Sequence, residues 1–143
     1  MSRGDAAARR LYVWEDAVVA PRDRSLVPFR QLQALVDHVW AGEGLRWPPR
    51  VRPLPRQARA TMARATRLSI EAPAALPSWV LLHELAHAMT STAEGGTDGH
   101  GPDFVGLYAR LLVRYARLPE TLVAETLAAA GIAWNRDARP AFL

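Results

Sequence analysis

The chain contains no cysteine, which excludes disulfide bonds and thiol nucleophiles and leaves only nitrogen and oxygen ligands for a metal. Lysine is absent too: all eighteen basic residues are arginine, a bias that a GC-rich coding sequence explains. No run approaches the roughly eighteen apolar residues of a membrane span. The opening MSRGDAAARRLYVWEDAVV also lacks the continuous apolar stretch of a secretory signal, so a cytoplasmic protein is expected. Half of the 143 residues are hydrophobic and 22% are charged, which suits one globular domain over residues 1–143, folded by packing with or without a metal.

Charge is unevenly spread. Residues 1–67 carry thirteen arginines against six acids, whereas 68–143 carry five against eight. Between Gly44 and Ile70 stand Arg46, Arg50, Arg52, Arg56, Arg59, Arg64 and Arg67 with no acid among them. Such a block can face phosphates, but Trp47 is its only aromatic residue, and a solvated surface accounts for it as well.

LYVWEDAVV, 11–19, is rich in β-branched and aromatic residues and predicts a first strand. Ser25 is placed to cap a helix from Val27 to Ala41, whose stripe is Phe29, Leu32, Leu35, Val36 and Val39. Pro48, Pro49, Pro53 and Pro55 confine any strand near Val51–Leu54 to a sheet edge. TRLSIE, 66–71, alternates, which points Leu68 and Ile70 to one face. Helices are expected from Pro77 or Ser78 to Thr90, from Pro102 to Leu118, and after Pro119 until Gly131. The sum is an α+β domain with a small, mostly N-terminal sheet.

Three of the four histidines fall within 83–100, and two of them begin and end His83-Glu84-Leu85-Ala86-His87. Residues four apart on a helix lie one above the other, so His83 and His87 can present imidazoles to one ion. Glu84 leans over the same face and is placed to act as a general base on water. A hydrolytic zinc site needs a third protein ligand and an open fourth position. His100, beyond a glycine-rich loop and flanked by Gly99 and Gly101, is the candidate; Glu94, Asp98, Asp103, Glu120 and Glu125 compete for the role. Asp103 also suits the first turn of a helix, or a hydrogen bond to the outer nitrogen of a ligand histidine. His38 has no ligand spacing around it and reads as structural.

HELAH followed by HGPDF resembles the pattern of SprT-like zincin metallopeptidases, in which H-E-x-x-H precedes H-G-x-x-F. The lead-in WVLLHELAHAM also resembles a family of small actinobacterial metallohydrolases. The likeness covers about residues 66–108. It implies a zincin-like fold, His83, His87 and His100 as ligands of one Zn²⁺, Glu84 as catalytic base and Phe104 as a packing residue. It further implies that the stretch around 66–71 is an edge strand on which a peptide or protein substrate adds. Thr90 and Ala93 stand where the H-E-x-x-H-x-x-G-x-x-H branch needs Gly and His. The cysteine zinc ribbon that follows the catalytic part in many SprT-like proteins has no counterpart here.

The expected function is therefore zinc-dependent hydrolysis, most simply of peptide bonds. Tyr108, Tyr115 and Arg67 are candidates to stabilise an oxyanion. Two other readings stay open: a nucleic-acid- or protein-binding module with a structural metal and an arginine-rich face over 44–70, and a metal-free helical interaction protein.

Overall fold

The computed structural model describes residues 3–55 and 63–143, so Arg56 and Arg59 of the basic segment lie outside the described residues. Among the described residues, eleven elements follow one another. They are α1 (Arg3–Trp14), a π-helical turn (Glu15–Val19), β1 (Leu26–Pro28), α2 (Phe29–Gly42), β2 (Arg50–Pro53), β3 (Arg64–Ala65), β4 (Ser69–Ala72), β5 (Ala75–Pro77), α3 (Ser78–Met89), α4 (Pro102–Tyr115) and α5 (Glu120–Ala129). The class is α+β, and all five strands precede α3.

The first departure from expectation is at the start. Residues 11–19 are helical, not a strand. Leu11, Trp14, Glu15 and Val19 are buried while Tyr12 and Val13 face outward, a helical and not an alternating spacing. That periodicity, led in by the helix-favouring AAARRL, outweighs the strand preference of the individual side chains. Trp14 Nε1 donates to Thr126 Oγ1 at 2.9 Å and so ties this first helix to α5.

In α2 the predicted stripe is largely where it should be, with Leu32, Val36 and Val39 fully buried. The helix starts at Phe29 after Pro28 and not at Val27, and Ser25 does not cap it. Residues 26–28 are drawn instead into antiparallel pairing with β5, Leu26 opposite Pro77.

The other sheet has the order β2-β4-β3. β2 runs parallel to β4 with Val51 beside Ile70, and β3 runs antiparallel with Ala65 beside Ile70. The proline-rich β2 lies at an edge, as its composition requires. Its outer side is occupied: Gln33 Oε1 accepts the Val51 N–H at 2.7 Å and Gln33 Nε2 donates to the Pro49 carbonyl at 3.1 Å.

Residues 66–71 differ from expectation twice. Thr66 to Leu68 form a turn in which Thr66 Oγ1 accepts the N–H groups of Leu68 and Ser69, so Leu68 is exposed and, of the two apolar residues, only Ile70 is buried. Furthermore, β4 is the central strand, hydrogen-bonded on both sides, so the stretch is not a free edge for an incoming peptide.

Helix α3 is the centre of the molecule. Every residue from Val80 to Ala86 is buried, including His83 and Glu84. Leu81, Leu85 and Met89 pack into one continuous apolar cluster with Leu32, Val36 and Ile70 on one side and Phe104, Leu107 and Leu111 of α4 on the other. Each such side chain contributes about 1.5–3 kcal/mol when fully buried, which anchors a helix that otherwise carries two buried polar groups. The last turn of α3 is closed by Thr90 and Ser91, whose hydroxyls donate to the carbonyls of Ala86 and His87. Arg117 adopts a left-handed φ of 58° beyond the end of α4, which stops at Tyr115 and not at Leu118. No helix among the described residues is long and apolar enough to cross a membrane.

Candidate metal centre

The loop 91–101 returns the chain from α3 to α4. Gly99 has φ 62°, a left-handed conformation that a side chain would strain. The Asp98 carboxylate folds over Gly101, 2.7 Å from where a Cβ would stand, and Asp98 Oδ2 accepts the Phe104 N–H at 3.0 Å. An acidic group over the first turn of α4 is favoured by the exposed N–H groups and the helix dipole there. Asp98 is thereby a cap and not a ligand, and the turn it fixes carries His100 back over α3.

The three expected histidines converge. His87 Nε2 lies 3.2 Å from His83 Nε2 and 3.1 Å from His100 Nε2. Three nitrogens each about 2.0–2.1 Å from one tetrahedral ion stand about 3.3–3.4 Å apart, which is close to this spacing. Hydrogen bonding alone does not explain the cluster. His83 Nδ1 is 2.6 Å from Glu15 Oε2, and because a carboxylate only accepts, Nδ1 carries a proton and the neutral ring presents a bare lone pair at Nε2. His87 Nε2 carries at most one proton for its two nitrogen neighbours. These three imidazoles could hold a metal ion, and they form the one such group of His, Asp and Glu among the described residues.

Phe104 forms the inner wall. It is fully buried, and its ring meets all three imidazoles, at 5.1 Å from His83, 4.3 Å from His87 and 5.2 Å from His100. Burial, with the neighbouring imidazoles adding to it, pushes the His87 ring down to about 3 and keeps it neutral. His100 is lowered by burial and by His83, against an opposing pull from Glu15. At His83 burial also lowers, but the hydrogen bond and charge of Glu15, helped by Glu84, raise it above the usual imidazole value.

Glu84 is buried, and burial pushes its carboxyl up to about 7, with His83 pulling it down and Glu15 pushing it further up. Glu15 and Asp23 by contrast have hydrogen-bond donors on them, whereas no described side chain bonds the Glu84 carboxylate. A carboxylate near neutrality with free lone pairs beside an ion-sized cluster of nitrogens can exchange a proton with bound water.

Asp103 is not the outer partner of a ligand histidine. It is exposed and accepts from Asn135 Nδ2 at 2.9 Å. That place belongs to Glu15, on the π-helical turn, which accepts from both His83 Nδ1 and the Tyr108 hydroxyl at 2.6 and 2.7 Å. The sequence does not single out Glu15, because the strand-favouring side chains around it point to a strand over 11–19. Its signal was an acid within a helically spaced apolar stripe, with Leu11 and Trp14 before it and Val19 after it.

The expected oxyanion donors do not serve. The Tyr108 hydroxyl is fully buried on Glu15, the Tyr115 hydroxyl donates to Glu43 Oε2 at 2.9 Å, and Arg67 packs against the stacked rings of Trp40 and Phe142. Glu94 is an exposed loop residue, and Glu120 and Glu125 sit exposed on α5, outside the cluster. His38 is exposed with its ring edge-on to Tyr115, 6.0 Å away. A cleft of about 310 Å³ lies on the far face of α4, lined by Arg110, Val113, Arg114, Trp134 and Arg136, and it touches none of the three clustered histidines.

Comparison with protein-family models, with curated proteins and with solved structures finds no match.

Proposed function

We propose that the chain is a zincin-like, zinc-dependent hydrolase, most simply a metallopeptidase, with His83, His87 and His100 holding one Zn²⁺ and Glu84 as general base. The observation that carries this reading is the convergence of three imidazoles, with His87 Nε2 3.2 Å from His83 Nε2 and 3.1 Å from His100 Nε2, beside a buried carboxylate that no described side chain bonds. Three neutral nitrogen ligands without sulfur suit Zn²⁺ and leave a fourth position for water or substrate. Bound there, the ion supplies a Lewis acid that polarises a carbonyl and lowers the pKa of water.

The residues divide the remaining work. Glu15 fixes the tautomer and the angle of the His83 ring through its Nδ1–H. Phe104 keeps water from the inner side of the cluster. Glu84 takes a proton from the attacking water and returns it to the leaving amine, so that it ends the cycle as it began. A structural metal site has no use for a free base at that position.

The test is Glu84→Gln, assayed on fluorescein-labelled casein at matched metal loading. Turnover is expected to fall by about 10²–10⁴-fold with metal content unchanged. A Gln variant as fast as the parent contradicts the assignment of the base.

A second reading has one observation in its favour. Trp47 is 77% exposed beside Arg46, close to the exposed Arg50 and Arg52 of β2, an arrangement that suits stacking and phosphate contact with single-stranded nucleic acid. It is tested by salt-dependent binding of a labelled oligonucleotide, which that reading expects Trp47→Ala to weaken and Glu84→Gln to leave unchanged.

A further inference from the structure

Hydrolysis at the histidine cluster develops negative charge on the substrate oxygen, and a donor aimed at that charge is worth far more in the transition state than in the ground state. The chain has three tyrosines. Two have committed hydroxyls, Tyr108 on Glu15 and Tyr115 on Glu43. The Tyr12 hydroxyl makes no hydrogen bond to any described residue.

Tyr12 is also the tyrosine on the open side of the cluster. Its ring is stacked over His83 at 6.4 Å and 22°, and meets His100 edge-on at 5.6 Å. Phe104 covers the same two imidazoles and His87 from the fully buried side, whereas Tyr12 is 48% exposed. A substrate carbonyl must enter from solvent, along the side on which Tyr12 stands.

The position is held from both ends. Leu11 and Trp14 are buried on either side of Tyr12, and the Trp14 indole is bonded to Thr126. Three residues on, the π-helical turn sends Glu15 inward to His83 Nδ1. One short segment therefore grips the edge of the His83 ring from within and covers its face from without.

We propose that the Tyr12 hydroxyl is the hydrogen-bond donor to the oxyanion that forms on a substrate carbonyl at the His83–His87–His100 site. The inference rests on the hydrolase reading. Tyr12 donates a hydrogen bond and keeps its proton, so no co-reactant is required.

The test uses the Co²⁺-substituted full chain titrated with acetohydroxamate, which brings an anionic oxygen to the ion and reports through the visible spectrum. Tyr12→Phe should bind Co²⁺ as the parent does, with the same starting spectrum, and bind acetohydroxamate on the order of tenfold more weakly. On labelled casein the same variant should lose about 10²–10³-fold in kcat with KM little changed, a split that a merely structural role would not produce. Equal hydroxamate affinities overturn the proposal. So does a Co²⁺ spectrum already altered before titration, which would make Tyr12 a ligand of the ion. A parent that fails to cleave casein while its hydroxamate affinity still depends on Tyr12 sinks the peptidase reading and leaves the donor assignment standing. Failure to bind Co²⁺ sinks both.

Discussion

Glu15 and Arg67 bury opposite charges in different ways. Glu15, 3% exposed, receives two donors on one oxygen, and one of them is the outer nitrogen of a histidine in the cluster. Arg67, 8% exposed, has no carboxylate partner among the described residues. Its guanidinium lies 4.9 Å from the ring of Trp40 and 4.4 Å from that of Phe142, and donates to the Trp47 carbonyl, while its Nη1 has no hydrogen-bond partner. The first charge is bound into a network that ends at a cluster of ligand type. The second is held by aromatic faces and its own hydrocarbon stem, which are means of packing. Burial of a charge does not mark a functional site; the destination of its hydrogen bonds does.

Breaking the first of these should have the largest effect. Glu15→Ala strands the His83 Nδ1–H and the Tyr108 hydroxyl in the interior, costing about 3 kcal/mol in the metal-free protein and about 10–100-fold in metal affinity. Denaturant unfolding and a metal-competition titration read the two losses separately. Unchanged metal affinity would reduce Glu15 to a fold residue and erase the contrast.

Arg67→Ala should cost about 1–3 kcal/mol, because two rings lose the group packed against them. Arg67→Met, which keeps most of the volume and removes the orphaned N–H, should fall within about 1 kcal/mol of the parent. Neither change should alter metal affinity, and a loss there would place Arg67 in the same network as Glu15.

Tyr108→Phe is the smallest of these changes. It removes one donor from Glu15 and leaves the His83 bond intact, so stability should fall by about 1 kcal/mol and metal affinity by less than tenfold. A loss as large as that of Glu15→Ala would mean that Tyr108, and not Glu15, sets the angle of the His83 ring.

Much of the centre was legible in the chain because its parts are local. His83, Glu84 and His87 lie on one helical turn, and Pro102 with the preceding glycines marks where the chain comes back with His100. What could not be read was non-local or hidden by composition. Glu15 comes from 68 residues before His83, and nothing in Asp103 betrayed that Asn135 would claim it. LYVWEDAVV carries strand-favouring side chains at helical spacing, and preference misled where period was right. The turn at Thr66 similarly displaced β4 by a few residues, and the parallel partner β2 made it a central strand.

Every role proposed for these residues requires a metal held by three rings, and elemental analysis of protein purified without chelator measures that ion itself. One divalent ion per chain is predicted in the parent, with occupancy lost in His83→Ala, His87→Ala and His100→Ala alike. A parent that stays metal-free with Zn²⁺ supplied, or variants that bind as the parent does, would contradict it.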